Sequence, residues 1–249
     1  MSIVLLSLIT SHALAVDLDE DGCEDAFDDA NQACVSPLAD VGIGTTVGAS
    51  AWVGDYASVG ADVALGASTF VAERSTIVGR VSVSGARPVG AGTTIGRRAY
   101  IDADHDIGSD NSFGRAAVVG ERLQTQTNVT VGYAAQLGDD VSIGSIVVVG
   151  NLVAIGDNTQ VLDNTVIARG AQVGDSTTLG VIGGVIGPDV TIGGDADIAS
   201  TVRIRKGVTV GEGVTLGSGA RIGRDAVIAD NVTVGANVRI GAGAQVTAT

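Results

Sequence analysis

Aromatic side chains make up 3% of this 249-residue chain, and methionine occurs once. A core of packed helices draws on more Leu, Phe and Met than this, so a helical globule is a poor expectation. Basic residues are scarce: 14 Lys and Arg stand against 28 Asp and Glu, a formal net charge of −14. That balance repels phosphate backbones and argues against a nucleic-acid partner. No stretch reaches the ~20 apolar residues of a membrane-spanning helix, so no transmembrane span is expected. Only two cysteines are present, enough for one disulfide.

What the chain has instead is glycine, 37 residues of it, together with Val, Ile and Ala. This mixture suits stacked strands joined by tight turns. The arrangement is periodic. From Val41 to Val185 every sixth residue is apolar, as in Val41, Val47, Val53, Val59 and Leu65, with Thr125 the one polar exception. A one-residue insertion near Gly183 and Gly184 shifts the frame, which resumes at Ile186 and runs to Val246. Four residues after an apolar position usually stands Ala, Val, Thr or Ser, for example Ala51, Ala57, Val63 and Val141.

This hexapeptide pattern resembles that of the left-handed parallel β-helix, from Val41 to the end of the chain. The resemblance implies an all-β solenoid of about 12 triangular coils, three hexapeptides to a coil, stacked ~4.8 Å apart into a prism roughly 55 Å long. The frame from Val41 to Val185 gives no sign of a loop thrown out of the coils.

The N-terminus reads differently. Residues 1–15 look like a signal peptide, with an apolar run from Ile3 to Ile9 and Ala13-Leu14-Ala15 as a small-x-small cleavage pattern. No Lys or Arg precedes the run, and a buried N-terminal strand is the alternative. With the leader removed, the expected location is secreted or at the cell surface.

Residues 16–40 form an acidic segment. Counting from Asp17 as position 1, carboxylates fall at 1, 3, 5, 9 and 12 (Asp17, Asp19, Asp21, Asp25, Asp28), with Gly22 at 6. Cys23 at 7 offers its backbone carbonyl. That spacing suits an oxygen cage around Ca²⁺, the glycine making the sharp turn. The segment resembles a thrombospondin type 3 repeat over residues 17 to about 34, and an acidic linker is the alternative. Cys23 and Cys34 flank the loop and either close it as a disulfide or remain free thiols. The β-helix proper is expected over 41–249.

Families with this repeat are dominated by acyl- and acetyltransferases and include γ-class carbonic anhydrases. The latter use three histidines for zinc, and this chain has two, His12 and His105. The acyltransferases use a histidine as general base, which leaves His105. It sits in a slot usually held by Ala, Val or Thr, among Asp102, Asp104 and Asp106. With no matching motif around it, the expectation is a non-catalytic exported scaffold, adhesin or fibre subunit. A hexapeptide-repeat acyltransferase relative with His105 as base is the alternative. Departures from the pattern (Arg87, His105, Asn111, Leu123 and Thr125) gather between Arg87 and Thr130.

Outward positions form columns, one residue per coil. Trp52, Phe70 and Pro88 should stack on one face, as a subunit contact, a carbohydrate platform or a seat for the N-terminal segment. Arg203, Arg221 and Arg239 form a second column, with Arg205 close by. They would hold an anionic glycan, a lipid head group or another cell-surface polymer, or else stand solvated beside acidic neighbours. Ser58, Thr76, Thr94, Ser112 and Thr130 make a single hydroxyl column, a weak basis for ice binding. An acidic head, a basic tail and an uncapped end suggest head-to-tail self-association into filaments, with side-by-side trimers as the competitor.

Overall fold

The computed structural model describes residues 33–78, 87–89, 92–102, 104–180 and 184–248, with backbone alone at 87–89. The expected leader and calcium loop, from Asp17 to Asp28 with Cys23, lie outside the described residues.

The described chain is a left-handed parallel β-helix with no α-helix among the described residues. Its 35 short strands form three parallel sheets of 12, 12 and 11 strands. Sheet 1 runs from Cys34–Val35 to Arg239–Ile240, sheet 2 from Asp40–Val41 to Gln245–Val246, and sheet 3 from Thr46–Val47 to Thr233–Val234. Most strands are two residues long, the first facing out and the second in, as at Thr130–Val131. The inward track is the apolar one read from the sequence: Val53, Val71, Ile77, Ile95 and Ile101 are all fully buried. Sheet 1 begins with Cys34–Val35 paired to Trp52–Val53, so the solenoid starts before Val41.

Each corner is a four-residue turn whose third residue takes a positive φ and whose fourth points inward. The positive φ is commonly held by Asn, Asp, Ser or Gly, for example Asn158 at 55° and Asp140 at 56°. These are the residues that tolerate the left-handed region best. The inward fourth residue is small because three corners converge on a narrow interior, hence Ala117, Ala135, Val141 and Val153.

Two irregularities affect the faces. The shift near Gly183 and Gly184 is present: Val166 pairs with Val185 and Gln172 with Thr191, offsets of 19 residues where one coil is 18. Val185 is thereby turned outward and Ile186 inward.

The second irregularity corrects the reading of an unbroken frame. Phe70 pairs with Thr94, 24 residues on, so this coil carries one extra hexapeptide. The surplus lies between Ile77 on sheet 2 and Val89 on sheet 3. Because it is six residues long, the apolar count stays in phase across it. Pro88 therefore stands opposite Ala64 on sheet 3 and not above Phe70. The hydroxyl column is split as well: Ser58 and Thr76 are on sheet 2, and Thr94, Ser112 and Thr130 are on sheet 1.

Candidate functional site

His105 occupies an inward corner slot between sheets 2 and 3 and is 0% exposed. Its Nδ1 lies 3.1 Å from the carbonyl oxygen of Asp102. A general base must come within hydrogen-bond reach of the proton it removes. An imidazole enclosed in the prism meets no substrate on the outer surface, which corrects the placement of His105 as a base.

The remaining departures are also interior. Asn111 donates from Nδ2 to the carbonyls of Gly108 (2.9 Å) and Gln126 (2.9 Å) and to Thr125 Oγ1 (2.8 Å). Its Oδ1 accepts the Val129 N–H at 2.8 Å. Thr125, the polar exception on the apolar track, is thus the buried partner of Asn111 one corner away. Buried polar groups are tolerated when paired in this manner. Leu123 is simply a fully buried corner residue.

The surface carries three organised features. On sheet 1, Trp52 and Phe70 stack with ring centroids 4.4 Å apart and planes 12° apart. Farther along the same sheet, Arg203, Arg221 and Arg239 are direct register neighbours, with Arg205 at the adjoining corner. The three arginines thus stand in one column, and the valines Val148, Val166 and Val185 lead into it.

Sheet 2 bears an open, mainly apolar groove of about 540 Å³. Its outward lining is Val118, Gln136, Ala154, Gln172 and Thr191. The small Ala154 between two glutamines makes the hollow. Gly138, Gly156 and Gly174 form one margin, and each is followed by an aspartate at the corner. These aspartates form a ladder. Asp139 Oδ1 accepts the Glu121 N–H at 2.8 Å, Asp157 that of Asp139 at 2.8 Å, and Asp175 that of Asp157 at 3.0 Å. A Cβ on Gly156 would collide with the Asp175 carboxylate, so the ladder requires glycine there.

Near the N-terminal end of that corner, Arg122 reaches Asp140 by two bonds, Nε to Oδ1 at 2.6 Å and Nη2 to Oδ2 at 2.8 Å. The Arg122 hydrogen bonds hold the Asp140 carboxyl below its usual range. Tyr100, on sheet 2, is pushed up by burial and then by the nearby Asp102 charge.

No group of three or more His, Cys, Asp or Glu able to hold a metal occurs among the described residues. No helix among them is long and apolar enough to cross a membrane. Cys34 is disulfide-bonded, and its partner lies outside the described residues.

Residues 214–248 match the family described as bacterial transferase hexapeptide (six repeats). No curated protein matches the chain. Among solved structures, UDP-N-acetylglucosamine acyltransferase from Campylobacter jejuni is similar at 15% identity, covering 80% of this chain and 66% of that one, with a TM-score of 0.36. The UDP-N-acetylglucosamine O-acyltransferase of Moraxella catarrhalis gives 18% identity, coverage of 82% and 71%, and a TM-score of 0.39. Perosamine N-acetyltransferase from Caulobacter crescentus, solved with CoA and GDP-perosamine, gives 20% identity, coverage of 51% and 52%, and a TM-score of 0.20. The chain spans just under two thirds of the first of these proteins, and the likeness to all three is one of fold alone. The family that residues 214–248 match is one of transferases, and this corrects the expectation of a non-catalytic exported scaffold.

Proposed function

We propose that this β-helix is an acyltransferase of the hexapeptide-repeat kind. The observation that carries the reading is the match of residues 214–248 to a transferase family. The groove on sheet 2 supplies a place for the acyl chain, laid along the rod across Ala154 between Gln136 and Gln172. Apolar burial of such a chain contributes roughly 0.8 kcal/mol per CH₂.

In the transfer, an acceptor hydroxyl or amine attacks the carbonyl of an acyl thioester. The carbon–sulfur bond breaks, a new carbon–oxygen or carbon–nitrogen bond forms, and the thiolate leaves. The acceptor's proton goes to a carboxylate at the groove margin, Asp157 being the one level with Ala154. This assignment replaces His105, which faces the interior.

The test is release of free thiol from acetyl-CoA and longer acyl-CoA donors, with and without UDP-N-acetylglucosamine as acceptor. Acceptor-dependent release is expected, lost in Ala154→Trp, which fills the groove. Asp157→Asn keeps an oxygen for the Asp139 N–H and removes only the charge. It should lower the rate on the order of 10² while leaving the melting temperature unchanged. Activity should survive in folded His105→Ala protein. A folded wild-type protein that releases no thiol with any donor length sinks the reading.

A further inference from the structure

The outward column of sheet 1 ends in Arg203, Arg221 and Arg239, all exposed and in direct register. One coil separates each from the next, so the three positions repeat at ~4.8 Å along the rod. Like charges facing each other across a sheet destabilise it unless something offsets them. No offset is present among the described residues, where none of the three joins an ion pair. Of the acids close in sequence, Glu212 and Asp230 stand at the corner between sheets 2 and 3, the edge opposite sheet 1. Only Asp225 shares the near corner.

The surroundings of the column differ in charge from the rest of the rod. The corner between sheets 1 and 2 is rich in bases, and Arg205, Lys206 and Arg224 lie there beside the column. The corner between sheets 2 and 3 is acidic, with Glu121, Asp139, Asp157 and Asp175 as well as Glu212 and Asp230. Arg122 is the single base on it among the described residues. The outward column of sheet 1 contains no acid from Trp52 to Arg239, whereas sheets 2 and 3 carry Asp40, Asp106 and Asp197 in theirs. A chain of net charge −14 thus turns one positive face outward. Along the other margin of the arginines the corner is uncharged. There Ser200 and Ser218 place hydroxyls 3.3 Å apart, and Asn237 adds an amide.

We propose that this strip binds a linear acidic polysaccharide, a chain of uronic acid residues laid along the rod over Arg203, Arg221 and Arg239. Each sugar brings one carboxylate, which a guanidinium grips through two parallel N–H bonds. A sugar unit is close in length to the height of a coil, so successive carboxylates meet successive arginines. Its hydroxyls meet Ser200, Ser218 and Asn237 at the uncharged margin. Single-stranded nucleic acid would want aromatic side chains on which to stack its bases, and residues 199–248 contain none. A bilayer would want Trp, Phe or Leu anchors beside the bases. The residues that lead into the column are the shorter valines Val148, Val166 and Val185. The site lies within one copy of the chain. It does not rest on the acyl-transfer reading, which uses sheet 2.

Isothermal titration of the full chain at low salt, with oligogalacturonates of graded length, tests this. Affinity should climb with each sugar up to the trisaccharide and level off beyond it. Added salt should weaken it. Arg203→Gln, Arg221→Gln and Arg239→Gln combined should weaken polygalacturonate by a factor on the order of 10 or more. The same variant should melt no lower than the wild type, because it removes a mutual repulsion. Arg115→Gln, on the basic corner in an earlier coil, should leave the affinity unchanged. Fully methyl-esterified oligomers, the same sugars without the charge, should not bind. No binding at any length, equal binding of the methyl ester, or a triple variant that binds as well as the wild type would each overturn the proposal. Tighter binding of single-stranded DNA or of phosphatidylglycerol vesicles at the same salt would overturn it too, giving the arginines to another class of anion. Circular dichroism of each variant separates loss of the site from loss of the fold.

Discussion

Ile146 holds a φ of 59° with 56% of its surface exposed. A β-branched side chain in the left-handed region costs roughly 1–2 kcal/mol, and an exposed one recovers little by burial. Ile146→Asn should raise stability by about 1 kcal/mol, read as a shift in the urea midpoint with an unchanged slope. The interior polar pair behaves in the opposite sense. Asn111→Ala strands Thr125 Oγ1 and the Val129 N–H inside the prism, and should cost about 2–4 kcal/mol. Thr125→Val made in that background should cost much less than Thr125→Val alone, a coupling that a double-mutant cycle reports. Thr125 was visible in the sequence as an exception. Its reason was not, because periodicity assigns a residue to a face and cannot name the partner across a corner. At the surface, Asp140 should titrate below the ordinary carboxylate range in a carboxyl NMR titration. Its pKa is depressed on folding, so its contribution is present above the ordinary carboxylate pKa and is lost as pH falls through the lower folded value. Both partners are exposed, so the effect on global stability should be small.

At the scale of strands and corners, glycine and aspartate act as a pair in adjacent coils. Gly156 leaves room for the Asp175 carboxylate, which in turn caps the Asp157 N–H. Gly156→Ala should therefore be destabilising, and because the new Cβ would also meet the backbone at Asp175 N (2.7 Å) and Gly174 C (2.9 Å), Asp175→Ala should relieve only part of that penalty, as thermal denaturation of the four proteins would show. This rule was only half legible. The recurring Gly-Asp dipeptide could be seen, but the collision it avoids involves residues 19 positions apart. Another glycine reports on the aromatic stack. A Cβ on Gly54 would strike the ring of Trp52. Since Trp52 is the chain's one tryptophan, Gly54→Ala should move its ring off Phe70 and change the intrinsic fluorescence without unfolding the rod. The strands themselves were the most legible elements, since an inward aliphatic every six residues leaves no competing pattern. The misplacement of Pro88 came from the same regularity: a surplus of one whole period is silent in a periodic signal.

For the whole molecule, stability in a stack of coils is close to a sum of neighbour terms, with the ends weakest. Of the inward residues Val234, Ile240 and Val246, only Val234 is buried, and the other two are half-buried. Amide exchange should therefore be fastest in the last coil and slow markedly by Ile222. The charge expected along the rod, acidic head and basic tail, is joined by a second separation across it, from one corner to another. The second is invisible in a linear reading, because neighbours on one corner lie 18 or 19 positions apart, 24 across the longer coil, and alternate with those of the other two.

The extra hexapeptide between Ile77 and Val89 has a consequence of its own. On a three-sided prism six residues ordinarily make one side, yet Thr94 still pairs with Phe70 and Tyr100 with Thr76, so the surplus adds no side and each sheet runs on unbroken across it. Deleting six residues there would leave Thr94 over Phe70, and every downstream column, arginines and aspartates included, would keep its place. This one corner can thus gain or lose a whole period while the surface of the rod and its interior both stay in step.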